Sequence, residues 1–261
     1  MTVTVFASSS SGNCTLVSQG DSHLLIDAGI SMRRIGNALG RFGLKIDDLT
    51  GILLTHEHND HVSALPMLCK HHHISLYAPR TVANHLCRCM TGVEEHIHRL
   101  TPEESITLGG FTVTPFPTPH DAEGSVGYRI EGEGVFGFCT DCGCITDTML
   151  RYLRGCGTAV IEANHDEEML RYGPYPVSLK RRILSEYGHL SNESCGKLAV
   201  ELARSGVVSL ILGHLSQENN RPALAKEAVC GALSAAGYPQ VRIETAPVLG
   251  ELRWEVAPCS T

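Results

Sequence analysis

A chain of 261 residues with 43% hydrophobic content can bury a large core, as one domain or as two. A net charge of −7 and a pI of about 6.0 exclude a global basic field that gathers polyanions, so any nucleic-acid contact must rest on local groups. Eleven cysteines accompany no basic-then-apolar leader in residues 1–6 and no apolar run of about 18 residues, so a reducing, cytoplasmic location with no membrane span and unpaired thiols is expected.

In chain order, apolar runs and periodicities predict strands near 3–6, 14–19 and 23–27 and a helix near 31–42. A strand near 51–55, a helix near 62–73, a strand near 74–78 and a helix near 80–90 follow. Strands are then expected near 105–108, 111–117, 125–131 and 134–140, and a helix near 145–153. A strand near 158–162, helices near 178–187 and 192–205, a strand near 207–213, a helix near 222–236 and strands near 240–245 and 248–256 complete the series. Ser191 heads 192–205 as N-cap, with Ser194 where a capping box would place Glu. His71-His72-His73 is read as closing an exposed helix rather than as a ligand cluster. The pattern alone is α/β or α+β. No repeat, low-complexity tract or Pro/Gly-rich linker divides it, and residues 1–261 are taken as one domain.

The chemistry concentrates in His56-Glu57-His58-Asn59-Asp60-His61, directly after the apolar run 51–55. If the segment stays extended, alternation puts His56, His58 and Asp60 on one face, and His61 elsewhere, free to serve a second metal. Three nitrogens and one oxygen suit Zn, Mn or Fe, whereas Mg or Ca would favour oxygen alone. Further donors stand where apolar strands give out: Asp27, His120, Asp141 and His214. Each alone is read as a cap or surface residue. Their shared context implies convergence at one end of a sheet. Cys87, Cys89 and the group Cys139, Cys142 and Cys144 lack a second pair at zinc-finger distance and are read as packed thiols.

This set resembles the metallo-β-lactamase-fold hydrolases, over nearly the whole chain. The resemblance implies an αββα sandwich, two facing mixed sheets flanked by helices. It implies that His56, His58 and His120 hold a first divalent metal and that Asp60, His61 and His214 hold a second. Asp141 would bridge them, and Asp27 would orient a ligand imidazole through its other nitrogen. A narrower likeness, to the YycJ (WalJ) group regarded as DNA exonucleases related to RNase Z and RNase J, rests on four segments. They are residues 6–14, with Ser8 to Ser11, Gly12 and Asn13; residues 162–166, with Asn164 and His165; Gly188-His189-Leu190-Ser191-Asn192; and residues 213–220, with Ser216.

Two divalent ions about 3.5–4 Å apart share a bridging water and lower its pKa towards 7, giving a hydroxide nucleophile for an ester phosphorus or a carbonyl carbon. Asp60, Asp141 and His189 are assigned to catalysis, His189 as general acid towards the leaving oxygen or, alternatively, as a helix-capping His. Ser10, Ser11, Asn13, Asn164, His165 and Ser216 are candidate substrate contacts, the Ser-rich opening alternatively an ordinary turn and His165 alternatively a satisfied surface residue. Lys180-Arg181-Arg182 is either a strand-contact patch or a solvated helix face. A nucleic-acid phosphodiesterase, with DNA favoured over RNA, leads. A glyoxalase II-like thioesterase or β-lactamase-like hydrolase is the alternative, and a non-catalytic metal-binding module comes third.

Overall fold

A computed structural model of the chain describes residues 1–257. The first of two seven-stranded sheets takes β1 (Thr2–Ser9), β2 (Gly12–Gln19), β3 (Ser22–Ile26), β4 (Gly51–Leu53), β5 (Leu76–Pro79) and β6 (Ile97–Leu100). The second takes β7 (Ile106–Leu108), β8 (Phe111–Pro117), β9 (Val126–Glu131), β10 (Val135–Cys139), β11 (Thr158–Glu162), β12 (Ser209–Gly213) and β13 (Arg242–Thr245). The last strand, β14 (Leu252–Glu255), returns to the first sheet beside β1, giving the orders β14-β1-β2-β3-β4-β5-β6 and β13-β12-β11-β10-β9-β8-β7. Each sheet is antiparallel through its hairpins and parallel where helices intervene: β3 to β6 in one, β10 to β13 in the other.

Residue alternation builds the layers. Leu24, Ile26 and Leu53 face Val160, Ile211, Phe136 and Tyr128 between the sheets. Their neighbours Leu25, Ile52 and Leu54 point outward, beneath α1 (Met32–Gly40), α3 (Leu65–His71) and α4 (Arg80–Cys89). Ala159, Ile161, Leu210 and Leu212 do the same on the other side, beneath α5 (Asp147–Leu153), α8 (Asn192–Arg204) and α9 (Pro222–Ala235). The result is the expected αββα sandwich. Ser191 caps α8 by accepting from Ser194 N, as the sequence indicated.

Four short elements were not foreseen: a 3-10 turn at Ile46–Asp48, α2 (Asn59–Val62), the edge strand β6, whose centre is polar, and α6 (Glu167–Tyr172), capped by Asp166. The helix expected at 178–187 is the shorter α7 (Val177–Ile183). The turn at α2 corrects the reading of the histidine motif. The chain leaves the sheet at Leu53 and coils at 59–62, so strand alternation does not carry Asp60 to the face of His56 and His58. The turn is pressed against Ala28 and Gly29. Ala28 N donates to His61 O at 2.8 Å, and a Cβ on Gly29 would lie 1.6 Å from Asp60 O, so only glycine fits there.

Candidate metal centre and active site

The expected donors converge at one end of the sandwich; Asp60 and His61 arrive on α2 and the others from the ends of strands. Asp27 follows β3, His56 and His58 follow β4, His120 follows β8, Asp141 follows β10 and His214 follows β12. Asp27, Asp141 and His214 have φ of 61°, 56° and 54°. Left-handed backbone costs a non-glycine residue of order 1–3 kcal/mol and persists where surrounding structure enforces it. Here it ends the strand and swings the side chain into the cluster.

The donors sort into four groups in which one atom from each residue lies within 4.8 Å of the others: His56, His58 and His120; Asp60, His61 and His214; His56, His61 and Asp141; and Asp141 and His214 with Glu162 and His189. The first three groups each draw on both sheets, and the fourth on the second sheet's side alone. Asp60 sits with His61, not with His56 and His58. Its Oδ2 is 3.4 Å from His61 Nε2 and 3.6 Å from His214 Nε2, and Asp141 Oδ2 is 3.5 Å from His61 Nε2.

Second partners fix the tautomers. His61 Nδ1 donates to Asp27 Oδ2 at 2.7 Å, while Thr55 N and Oγ1 donate to the same carboxylate. His120 Nδ1 faces Gly188 O at 3.2 Å, and His214 Nδ1 donates to Glu162 Oε1 at 2.8 Å. Each ring is thereby left with Nε2 turned towards the cluster, the arrangement typical of metal-ligating histidines. His56 Nε2, His214 Nε2 and Asp141 Oδ2 are buried without any partner. Buried polar atoms are rarely left unpaired, so three of them among the clustered donors are what bound cations would satisfy. The mixed nitrogen and oxygen donors fit a divalent transition metal.

Crowding is visible in the acid–base properties. Burial raises the Asp60 carboxyl, but the neighbouring His214 and His61 imidazoles outweigh it and hold the group far below the usual range. Burial lowers His61, yet Asp27 and Asp141 raise it to about 10. His214 is likewise lowered by burial and raised further by Asp141, Asp60 and Glu162, ending well above the ordinary imidazole value. His56, without a carboxylate partner, is pushed well down by burial and by its neighbouring rings. Without an ion, this cluster therefore stores protons on His61 and His214.

Glu162 was quoted as part of a motif but given no role, and it organises the open side. It is fully buried at the end of β11. Its Oε1 accepts from His214 Nδ1 and His189 Nδ1, both at 2.8 Å, and its Oε2 accepts from Cys142 N at 3.0 Å and Leu190 N at 3.1 Å. Burial raises its carboxyl, but His189 and His214 overcome this and keep it ionised. The signal that found Asp27, an acid closing an apolar strand, was present here as well. His189 Nδ1 also lies 3.8 Å from Asp141 Oδ1, which places the imidazole beside the cluster. Asp121, also unassigned, is 3.3 Å from His120 Nε2 and pairs with Arg182.

The candidate substrate contacts divide. Ser10 and Ser11 are exposed at the β1–β2 turn, and Gln217 Nε2 donates to Ser11 Oγ at 2.8 Å. Asn13 is buried. Its Oδ1 accepts from Ser9 N, and its amide nitrogen lies 3.0 Å from His61 Nε2, so it braces the cluster instead of meeting solvent. Asn164 Nδ2 donates to His214 O, and Ser216 Oγ accepts from Asn219 N. His165 is not a surface residue. It is 1% exposed with both ring nitrogens unpartnered, and burial lowers it to about 4. Lys180 is tied to Arg171 O and Gly173 O, whereas Arg181 is exposed. Cys139 and Cys142 are buried thiols in the second core, as expected. His71 and His73 are exposed at the end of α3.

The fold and this centre define a metallo-β-lactamase-type protein. The family model described as the beta-lactamase superfamily domain matches residues 22–214, and the chain belongs to that superfamily. It is 34% identical over 238 residues to "Exodeoxyribonuclease YycJ" of Bacillus anthracis, covering 90% of this chain and 89% of that one. It is also 34% identical over 239 residues to "Exodeoxyribonuclease WalJ" of Streptococcus pneumoniae, covering 89% and 88%. Among solved structures it is similar to the metallo-β-lactamase fold protein YhfI from Bacillus subtilis, with a TM-score of 0.74 at 18% identity over 97% of this chain and 99% of that one. No helix among the described residues is long and apolar enough to cross a membrane.

Proposed function

We propose that the chain is a metal-dependent phosphodiesterase that removes nucleotides from DNA, working in the cytoplasm as one hydrolase domain. The observation that carries the reading is the Glu162 carboxylate, which holds His214 of the metal cluster and the free-standing His189 on one oxygen. A cluster with a positioned proton donor beside it suits an ester whose leaving oxygen is a poor one. A thioester or β-lactam makes less demand on such a donor. Likeness to two proteins named exodeoxyribonucleases over nine-tenths of the chain supports the same substrate class.

In this reading His56, His58 and His120 hold one ion, Asp60, His61 and His214 hold the other, and Asp141 serves both. The ions are Zn or Mn, with Fe as the alternative. When bound, such a pair supplies an activated water and neutralises charge on the phosphate. The chain's own residues do the rest. Asp27, Thr55 and Glu162 fix the ligand rings. With Nδ1–H held by Glu162, the doubly protonated ring of His189 gives its Nε2 proton to the departing sugar oxygen as the phosphorus–oxygen bond breaks, and the proton released by the attacking water replaces it. Water thus adds across the diester, leaving a phosphate monoester and a free hydroxyl.

The test is purified, metal-loaded protein offered 5′-phosphorylated duplex DNA, single-stranded DNA, RNA, a thioester and a β-lactam. Faster turnover of DNA than of RNA is expected. Efficient thioester turnover without phosphodiester cleavage would overturn the proposal in favour of the carbonyl hydrolase.

A further inference from the structure

A small cleft of about 170 Å³ opens beside His189. Tyr175, Leu179 and Ile183 give it apolar surface; Ser10, Asn164 and Ser216 give it hydroxyls and an amide. Arg182 also lines it, held in place by its pairing of Nε with Asp121 Oδ2. Asp121 in turn lies 3.3 Å from His120 and 3.7 Å from His58, so the guanidinium is moored next to the metal ligands. Pockets for drug-sized ligands run to about 300–1,000 Å³, and this one is smaller. It holds one residue of a polymer, not a base pair.

The segment that builds the apolar side is itself unusual. Seven large hydrophobic side chains are exposed among the described residues. Four of them, Tyr172, Val177, Leu184 and Tyr187, fall between residues 172 and 187. Residues 171–187 also carry Arg171, Lys180, Arg181 and Arg182 against the single acid Glu186, in a chain whose net charge is −7. Exposed aromatics interleaved with cations are the composition of a single-strand nucleic-acid track, where bases stack on rings and phosphates meet cations. A protein partner would suit the apolar residues but not the local excess of positive charge.

We propose that this cleft receives the nucleotide on the departing side of the scissile bond, unpaired, with its base on Tyr175 and its phosphate against Arg182. Residues 171–187 carry the strand to it. The proposal rests on the exonuclease reading, because His189 borders the cleft and faces the departing oxygen in that reading. A consequence is that a duplex end must fray before it is cut. A mismatched terminal pair is therefore processed faster than a paired one.

The experiment compares Tyr175→Ala, Tyr175→Phe and Arg182→Ala with the parent, all metal-loaded, with metal content measured. Stacking on one ring is worth roughly a five- to hundred-fold effect. Tyr175→Ala should raise KM for DNA by that much and Tyr175→Phe should not. Arg182→Ala should weaken DNA binding and lower the slope of log affinity against log salt by about one. Both Tyr175 variants should keep their metal and their turnover of a bis-nitrophenyl phosphodiester. Tyr175→Ala indistinguishable from Tyr175→Phe on DNA, or DNA and small diester falling together, would overturn the proposal. Binding of a phosphorothioate-terminated single-stranded oligonucleotide, followed by anisotropy, separates this from the fate of the parent reading. Tyr175-dependent binding without DNA cleavage overturns the exonuclease assignment and keeps the cleft. Cleavage with Tyr175-independent binding does the reverse.

Discussion

Replacing Glu162 by Gln changes one atom and should disturb two functions at once. The side chain is fully buried, and its two oxygens accept four hydrogen bonds, from His189, His214, Cys142 N and Leu190 N. An amide offers one acceptor end and one donor end. With its oxygen towards the imidazoles, its NH2 meets two backbone N–H groups. In the flipped orientation, the NH2 meets the two rings and forces their protons onto Nε2, where His214 must bind metal. The first orientation leaves two buried backbone donors without an acceptor, and the second leaves two ring protons displaced to Nε2, at roughly 1–3 kcal/mol for each group. The expected cost is therefore about 2–6 kcal/mol, a fall in Tm of roughly 5–20 °C for a chain of this size. Metal affinity should fall about 10–100-fold through His214, as for other buried groups that orient ligands. DNA cleavage should fall further, through His189. Calorimetry, metal titration and DNA turnover on Glu162→Gln measure the three effects separately. Unchanged melting and metal affinity would refute the argument, since no orientation of the amide reproduces the contacts of the acid.

His189→Ala should slow DNA cleavage by roughly a hundred-fold or more while slowing an activated nitrophenyl diester far less, with metal content intact; equal losses on both substrates would remove it as the proton donor. In chelator-stripped protein, His61 has its pKa raised to about 10 by Asp27 and Asp141 against the opposing effect of burial. A raised imidazole stabilises fully below its unfolded value near 6.5, and the contribution is lost as pH climbs through about 10. The Tm of stripped protein should therefore drop between pH 7 and 10. Metal-loaded protein, whose His61 is already deprotonated, should not show that drop, and parallel curves would contradict the assignment. Tyr128→Phe should cost roughly 1–3 kcal/mol in denaturant unfolding. The buried Tyr128 hydroxyl on β9 donates to Leu54 O, just before the histidine motif, at 2.5 Å, and its loss strands that carbonyl; an unchanged midpoint would exclude the bond as a tie between the sheets.

The donors were legible because their chemistry is written in residue type and because apolar strands announce their own ends. Asp27, His120, Asp141 and His214 needed no more than that. Which donors share a point was not legible from alternation. Asp60 depends on the turn at 59–62, and that turn exists because residue 29 has no side chain to block it. Glu162 escaped because an acid at a strand end reads as a cap until the two rings bonded to it are known. Asn13 and His165 look solvent-facing in sequence, and their burial comes from distant elements closing over them: residues 60 and 61 over Asn13, Ser191 against His165. The α6–α7 segment was read for its cations alone. The aromatics interleaved with them acquire meaning only beside the cleft.

One cluster, Asp141, Glu162, His189 and His214, belongs to the second sheet and its helices alone, but the three candidate ion sites that use the histidine motif each take ligands from both sheets. An ion held there is a staple between the two halves of the molecule, not a fastening within one of them. Its binding energy is added to the cohesion of the sandwich whenever ion is in excess, and withdrawn when ion is scarce. The ambient metal level thus sets how firmly the halves stay joined as well as how fast the enzyme works, and a starved molecule becomes inactive and easier to open together.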